Sequence, residues 1–198
     1  MSKSIAFFDF DGTITKSDTM LELAKFSRGT ASYFFGIFLI SPWLILMKLR
    51  VISKTTAKEK LLTYFFGNIP IVDFTNTCNF FCDKLLPDLI RKDAMEAIKK
   101  HKEKNTLVVV VSASAENWVA PWCVQNNLQF ICTQLVVKNG KITGKLNGKN
   151  CNGNEKVSRI QARFDLQDFS IIDCYGDTPG DYKMLQLATH PHYRVFTQ

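Results

Sequence analysis

An open, parallel α/β sheet with a helical cap inserted after the first strand and a separate β-hairpin is the fold that this 198-residue chain predicts. Three observations predict it. Continuous apolar strands of the buried, parallel-sheet kind alternate with amphipathic helical patterns. The gap between the first two strands is far longer than a crossover requires. Acidic and hydroxyl side chains fall where strands end, the place at which such sheets hold their ligands.

The first strand is residues 4–10, an apolar run through Ile5-Ala6-Phe7-Phe8 that closes in Asp9-Phe10-Asp11-Gly12-Thr13. Its bland reading is a strand finished by an Asp-Gly turn. Its chemical reading is two carboxylates at one cleft, which repel unless a cation lies between them or one holds a proton. That suits a nucleophilic carboxylate, Asp9, beside a general acid, Asp11, neutralised by a hard, oxygen-seeking cation such as magnesium.

Residues 14–105 separate the first two strands, so most of them form an insertion. Residues 53–66 and 88–103 read as amphipathic helices within it. The stretch 29–47 carries no charge. As one helix it would reach ~28 Å at 1.5 Å per residue, barely a bilayer core, and Pro42 is expected to interrupt it. A lone span would also put Asp9 on the opposite membrane side from everything that follows. Two readings remain, a buried cap core (the preferred one) or short apolar helices dipping into a membrane surface through residues 33–49.

The second strand, 106–111, is rich in valine. A helix over 116–126 follows, then a hairpin over 135–143, signalled by Asn139-Gly140 between β-prone arms and expected to project from the sheet. A helix over 155–164, a strand over 170–175, a helix over 181–188 and a last short strand over 193–197 complete the order.

Composition narrows the function. The formal net charge of +7 points to acidic partners, and the scatter of the cations excludes a nucleic-acid tract. The six cysteines lack metal-ligand spacing, and a start that runs straight into a strand leads to the expectation of no signal peptide. Reduced thiols in a cytoplasmic protein, peripheral at the inner face of a membrane if the apolar stretch is exposed, are the expectation.

Three later features join the acidic turn. Ser112, directly after the valines, offers with the backbone of Ala113 a cradle for phosphate oxygens, unless it or Ser114 simply caps the next helix. Lys156 is a cation at a helix start, where it is electrostatically misplaced without an anion to serve. In Gly176-Asp177-Thr178-Pro179-Gly180-Asp181, Asp177 can complete a carboxylate set. Asp181 also matches a capping-box helix start with Pro at its first position, and could both start that helix and orient the metal shell.

These residues resemble the haloacid dehalogenase superfamily of phosphotransferases. The four motifs of that family occur in order along the whole chain: Asp9 to Thr13, Ser112, Lys156, and Gly176-Asp177 through Asp181. The position of the insertion and the Asn139-Gly140 hairpin match its phosphoserine-phosphatase-like branch. The resemblance implies a Rossmann-like core of residues 1–14 and 91–198 under a cap of residues 15–90. It also implies a magnesium-dependent phosphomonoester phosphatase acting through an aspartyl-phosphate. Asp9 would be the nucleophile and Asp11 the general acid and base. Asp9, the Asp11 carbonyl and Asp177 would hold Mg2+, while Gly12, Ser112, Ala113 and Lys156 bind the phosphoryl group. Asp11 selects phosphatase over dehalogenase, because only an alkoxide leaving group needs its proton.

Phosphoserine phosphatases have a Glu nine residues after the nucleophile for the substrate amine; here Asp18 stands there, one methylene shorter. The apolar cap looks instead like a neighbouring, phosphatidylglycerophosphatase-type branch. The expected substrate is therefore an amphipathic or lipid phosphomonoester. Phosphoserine or another small metabolite is the alternative, and a non-catalytic phospho-ligand binding module the alternative from outside enzymology.

Overall fold

The computed structural model describes residues 3–197. Its central sheet is parallel throughout, with strand order β3-β2-β1-β6-β7, formed by β1 (Ser4–Phe8), β2 (Leu107–Ala115), β3 (Gln129–Thr133), β6 (Ile171–Gly176) and β7 (His190–Tyr193). The chain builds outward from β1 through β2 to β3, then crosses back to lay β6 and β7 on the other side. The reversal opens a crevice at the carboxyl ends of β1 and β6, where open sheets of this kind bind ligands.

β1 forms in the middle because Ile5 through Phe8 are fully buried, apolar on both faces as a central parallel strand must be. One face packs on α6 (Lys92–Glu103) and α7 (Glu116–Gln125), and its cluster, with Phe8, Phe10, Trp118 and Trp122, continues beyond them into α1 (Thr19–Arg28) and α4 (Ile71–Lys84). The other face packs on α8 (Asn154–Arg163) and the short α9 (Tyr182–Leu185) through Phe7, Val109, Val111, Ile160 and Met184.

Between β1 and β2 the chain also forms α2 (Thr30–Lys48), α3 (Lys54–Phe66) and the short α5 (Leu86–Leu89). Where it leaves and returns it meets itself. Lys16 N–H donates to Leu89 O at 2.8 Å, and Arg91 N–H donates to Ile14 O at 2.8 Å. These bonds close a two-stranded neck around Thr15 and Ile90.

Several elements differ from the sequence reading. β1 stops at Phe8 because Gly12, at φ +83°, already turns the chain. The stretch read as one helix over 88–103 is two, broken at Ile90 by the neck. β3, α1 and α4 are additions, and the last strand lies a few residues earlier than read. The hairpin, β4 (Leu135–Lys138) and β5 (Lys141–Leu146), does not project from the central sheet. It is a separate antiparallel pair lying on α3, tied on by Ile142 N–H to Ile69 O at 2.9 Å and Ile71 N–H to Gly140 O at 2.8 Å.

The largest correction concerns α2. It runs unbroken through Pro42, and most of its surface is exposed rather than forming a cap core. It is long and apolar enough to cross a membrane by length and composition. Only a narrow strip, with Gly36 and Ile40 buried, seats it on the rest of the molecule. Gly36 is needed there because a Cβ would collide with the rings of Tyr64 and Phe65 on α3.

Candidate active site

Residues from both ends of the polypeptide meet at the crevice. Asp9 extends directly from β1, its N–H held by Tyr175 O at 2.9 Å, and its side chain is buried. Asp177 follows β6, and Asp181 starts the turn leading into α9. Carboxylate oxygens of Asp9, Asp177 and Asp181 lie within 4.8 Å of one another. Gly12 permits this approach, since a Cβ there would fall on the Asp177 carboxylate.

Lys156, in the first turn of α8, is 1% exposed. Its Nζ donates to Asp9 Oδ1 at 2.5 Å and to Asp181 Oδ1 at 2.7 Å. Burial alone would lower its pKa, but the two carboxylates outweigh burial and raise it, so the ammonium stays charged. Burial pushes Asp9 up to about 7 against the pull of Lys156. Burial also raises Asp177. Asp181 goes the other way: burial opposes it, but Lys156 and the Thr178 donors hold its carboxyl below the usual range.

Asp181 is satisfied on both oxygens. Oδ1 takes Lys156, while Oδ2 accepts from Thr178 N–H at 3.0 Å, Thr178 Oγ1 at 2.8 Å and Asp177 N–H at 3.3 Å. It orients Lys156 and the Asp177 backbone at once. Asp177 keeps more freedom, accepting from Thr13 Oγ1 at 3.1 Å through Oδ1.

The Asp11 carboxylate turns away from this trio. Its Oδ1 accepts from Thr19 N–H at 2.7 Å and Thr19 Oγ1 at 2.6 Å, and its Oδ2 accepts from Ser114 Oγ at 2.5 Å. Thr19 in turn accepts from Trp118 Nε1 at 3.0 Å. Asp181, not the Asp11 side chain, is therefore the third carboxylate beside Asp9 and Asp177. Asp11 still faces the same cavity as Asp9.

Ser112 is buried and its Oγ accepts from Ser114 N–H at 2.9 Å, within the irregular end of β2 where its register with β3 shifts. Neither serine caps α7, whose N-cap is Ala115. The cavity wall here is Ala113 and Ser114. Asp18 lines the cavity too, but its Oδ1 caps α1 by accepting from Met20 N–H at 3.0 Å and Leu21 N–H at 3.2 Å. Burial raises its pKa to about 6.

The cavity measures about 290 Å³. Its floor is Asp9, Asp11, Lys156 and Asp181, and its roof is Met20, Leu44, Met47, Ala57 and Leu61 from α1, α2 and α3. Lys58 reaches down from α3 to donate to Ala113 O at 2.6 Å and Asn150 Oδ1 at 3.0 Å. Burial lowers its pKa, opposed by Asp11 and Asp18.

The sequence reading did not single out Thr19, whose one signal was its place just after Asp18 at a helix start; it met Thr13 only within the first motif, Ser114 only as a possible helix cap, and Lys58 only beside Arg50 and Lys54 as a candidate for a substrate carboxylate. The others act through contacts between distant segments.

Asp9 and Asp177 offer oxygen donors only, the chemistry a magnesium-type cation requires, with Asp181 beside them but already hydrogen-bonded through both oxygens. It sits beside a buried ammonium, and this pairing of anion and cation sites suits a bound phosphoryl group.

Comparison with known proteins gives the same direction. The sequence profile of haloacid dehalogenase-like hydrolases matches residues 6–186. Protein CicA of Caulobacter vibrioides is 32% identical over 193 residues, covering 96% of this chain and 85% of that protein. A probable phosphatase of Mycobacterium tuberculosis is 26% identical over 202 residues, covering 96% of this chain and 68% of that one. Among solved structures, a Bordetella pertussis protein of unknown function shares the fold with a TM-score of 0.81 at 20% identity, covering 96% of this chain and 88% of that one. A phosphoserine phosphatase solved as a phospho-aspartyl intermediate analogue shares it with a TM-score of 0.63 at 22% identity, covering 95% of this chain and 84% of that one.

Proposed function

This chain belongs to the haloacid dehalogenase-like hydrolase family, and on that premise we propose that it hydrolyses phosphomonoesters through a phosphorylated Asp9. One observation carries the proposal: a buried carboxylate at the cavity floor, Asp9, is clamped by a buried Lys156 that Asp181 orients.

An Asp9 carboxylate oxygen attacks phosphorus, and the bond from phosphorus to the leaving oxygen breaks. The leaving alkoxide takes the proton of the Asp11 carboxyl. Asp11, now ionised, takes a proton from water as the water oxygen attacks phosphorus and the bond to Asp9 breaks, regenerating the carboxylate. Lys156 offsets the charge that builds on the phosphoryl oxygens. Thr19 and Ser114 fix the Asp11 carboxylate at the cavity wall. A magnesium-type cation would be held by Asp9, Asp177 and the Asp11 carbonyl, and when bound it supplies further charge neutralisation. Asp181 serves that cluster by fixing Lys156 and Asp177.

We assign residues 15–90 as a cap over a core of residues 1–14 and 91–198, supported by the backbone neck at Thr15 and Ile90. The apolar roof favours a substrate whose alcohol part is amphipathic or lipid. A small zwitterion such as phosphoserine is the second reading, favoured by Asp18 and Lys58 lining the same cavity. Both of those groups already spend hydrogen bonds on protein partners, which supports the apolar reading over it.

The test is phosphate release from p-nitrophenyl phosphate and from a panel spanning phosphoserine to lysophosphatidate. Turnover is expected with Mg2+, lost with chelator, and reduced at least ~10³-fold in Asp9→Asn. Absence of turnover on every phosphomonoester would transfer the site to the binding-module reading.

A further inference from the structure

Helix α2 turns an apolar face to solvent that no other described element covers. Gly36, Ile40, Leu44 and Met47 form its inner side, against α3 and over the cavity. The outer side carries Phe34, Phe35, Phe38, Leu39, Ile45 and Leu49, with Phe38 72% exposed. The solvent face of a surface helix normally carries charge; this one carries none before Lys48. From Phe34 to Leu49 the stripe runs ~22 Å at 1.5 Å per residue. Exposed apolar patches of that extent mark protein or membrane contact surfaces.

Charge decides between those two. Residues 23–58 contain Lys25, Arg28, Lys48, Arg50, Lys54 and Lys58 and no Asp or Glu. Lys25 and Arg28 precede the stripe and Lys48, Arg50 and Lys54 lie at its far end, all of them exposed, Arg28 also donating to Phe65 O at 2.6 Å. Two copies packed stripe to stripe would set cations against cations in either orientation, whereas an anionic bilayer is attracted to both ends. Trp43 at the stripe's edge, with Lys60 Nζ 4.2 Å from its ring centroid, has the amphipathic character that settles at headgroup level. Nor does α2 cross: Gly36 seats one half on α3 and Met47 lines the cavity with the other, so the helix lies along one body.

We infer that the outer face of α2 docks this enzyme on an anionic lipid bilayer, its aromatic stripe at the headgroup–acyl boundary and its basic ends on the headgroups. Docking there deepens the phosphomonoesterase reading, on which it rests, by naming the surface where substrate is met. Leu44 and Met47 roof the cavity from the opposite side of the same helix, so the roof lies about one helix diameter, ~10 Å, from the bilayer. An amphipathic phosphomonoester then reaches the cavity without its acyl part crossing bulk water.

The test is cosedimentation of the full chain with vesicles of phosphatidylcholine alone or mixed with phosphatidylglycerol, alongside p-nitrophenyl phosphate turnover. The wild-type protein is expected to bind the mixed vesicles, more weakly at high salt. Phe34→Asp/Phe38→Asp is expected to weaken binding at least ~10-fold with turnover on the soluble substrate unchanged. Lys25→Glu/Lys48→Glu, which leaves the stripe intact, is expected to weaken binding to mixed vesicles only. Failure to bind either vesicle, or equal binding by the Phe variant, overturns the inference. Concentration-dependent dimerisation that the Phe variant abolishes would give the face to a second copy and overturn it too. Vesicle binding without turnover on any phosphomonoester would leave docking standing and remove the phosphatase reading; turnover without vesicle binding would do the reverse.

Discussion

Lys156 is the residue on which the electrostatics of the site turn. An ammonium withdrawn from water is costly, and here it is held charged by two carboxylates from different segments. Removing it leaves Asp9 and Asp181 buried and facing each other. Lys156→Met is therefore expected to lose about 10²–10³-fold in kcat and several degrees in Tm, read by phosphate release and thermal denaturation. Retained activity with an unchanged Tm would show the pair to be dispensable. At this scale the sequence was informative for Asp9, Asp177 and Lys156, whose positions at strand and helix ends are local signals. It was less informative for Asp11, because the choice between facing the trio and facing Thr19 and Ser114 depends on where α1 and the end of β2 sit. Ser112 and Ser114 show the same limit: two hydroxyls at the irregular end of β2 divide their roles, Ser112 bonding within the strand end and Ser114 reaching Asp11.

Among the elements, α2 departs most from what its composition suggested. A charge-free run reads as core, yet only the strip through Gly36 and Ile40 is buried. Pro42 does not break it: the carbonyl that its missing N–H leaves free, Phe38 O, accepts from Ser41 Oγ at 2.7 Å. The seat depends on close approach at Gly36. Gly36→Val overpacks that contact and is expected to cost about 1–3 kcal/mol, or roughly 2–10 °C in Tm for a chain of this size. Because α2 also roofs the cavity, KM for an amphipathic substrate should rise more than kcat falls. An unchanged Tm and KM would mean that α2 is not seated through Gly36. The hairpin signal at Asn139-Gly140 was local and legible, whereas its docking on α3 rests on contacts such as Thr63 Oγ1 to Thr143 O that no sequence pattern announces. β3 was legible in principle from its β-prone Phe130-Ile131-Cys132-Thr133, but it is short and abuts a helix.

For the whole molecule, the reversal of strand order around β1 brings the first acidic motif beside the last. The result is a concentration of negative charge that the fold carries as a cost without a cation. Burial puts Asp9 at about 7 in the folded chain against 3.8 for an ordinary Asp. Between those values the folded state binds more protons than the unfolded one, so this group's contribution to metal-free stability falls as pH rises toward about 7. A divalent cation must displace that proton, so its binding strengthens over the same rise. The increase in Tm produced by Mg2+ is accordingly expected to be larger at pH 8 than at pH 6, measured on chelator-treated protein, and the difference should shrink in Asp9→Asn. A pH-independent Mg2+ effect would place the cation away from Asp9.

What the sequence determined by itself was the alternation of strand and helix, the long insertion, and the residue types at the strand ends, because each is encoded in short-range pattern and turn chemistry. The tertiary structure alone decided that Asp181 reaches the trio by holding Lys156 beside Asp9, that Asp11 is held by Thr19 and Ser114, and that α2 shows its phenylalanines to the outside. Those outcomes depend on which surfaces of distant segments come to face one another, and a run of residues does not carry that information one position at a time.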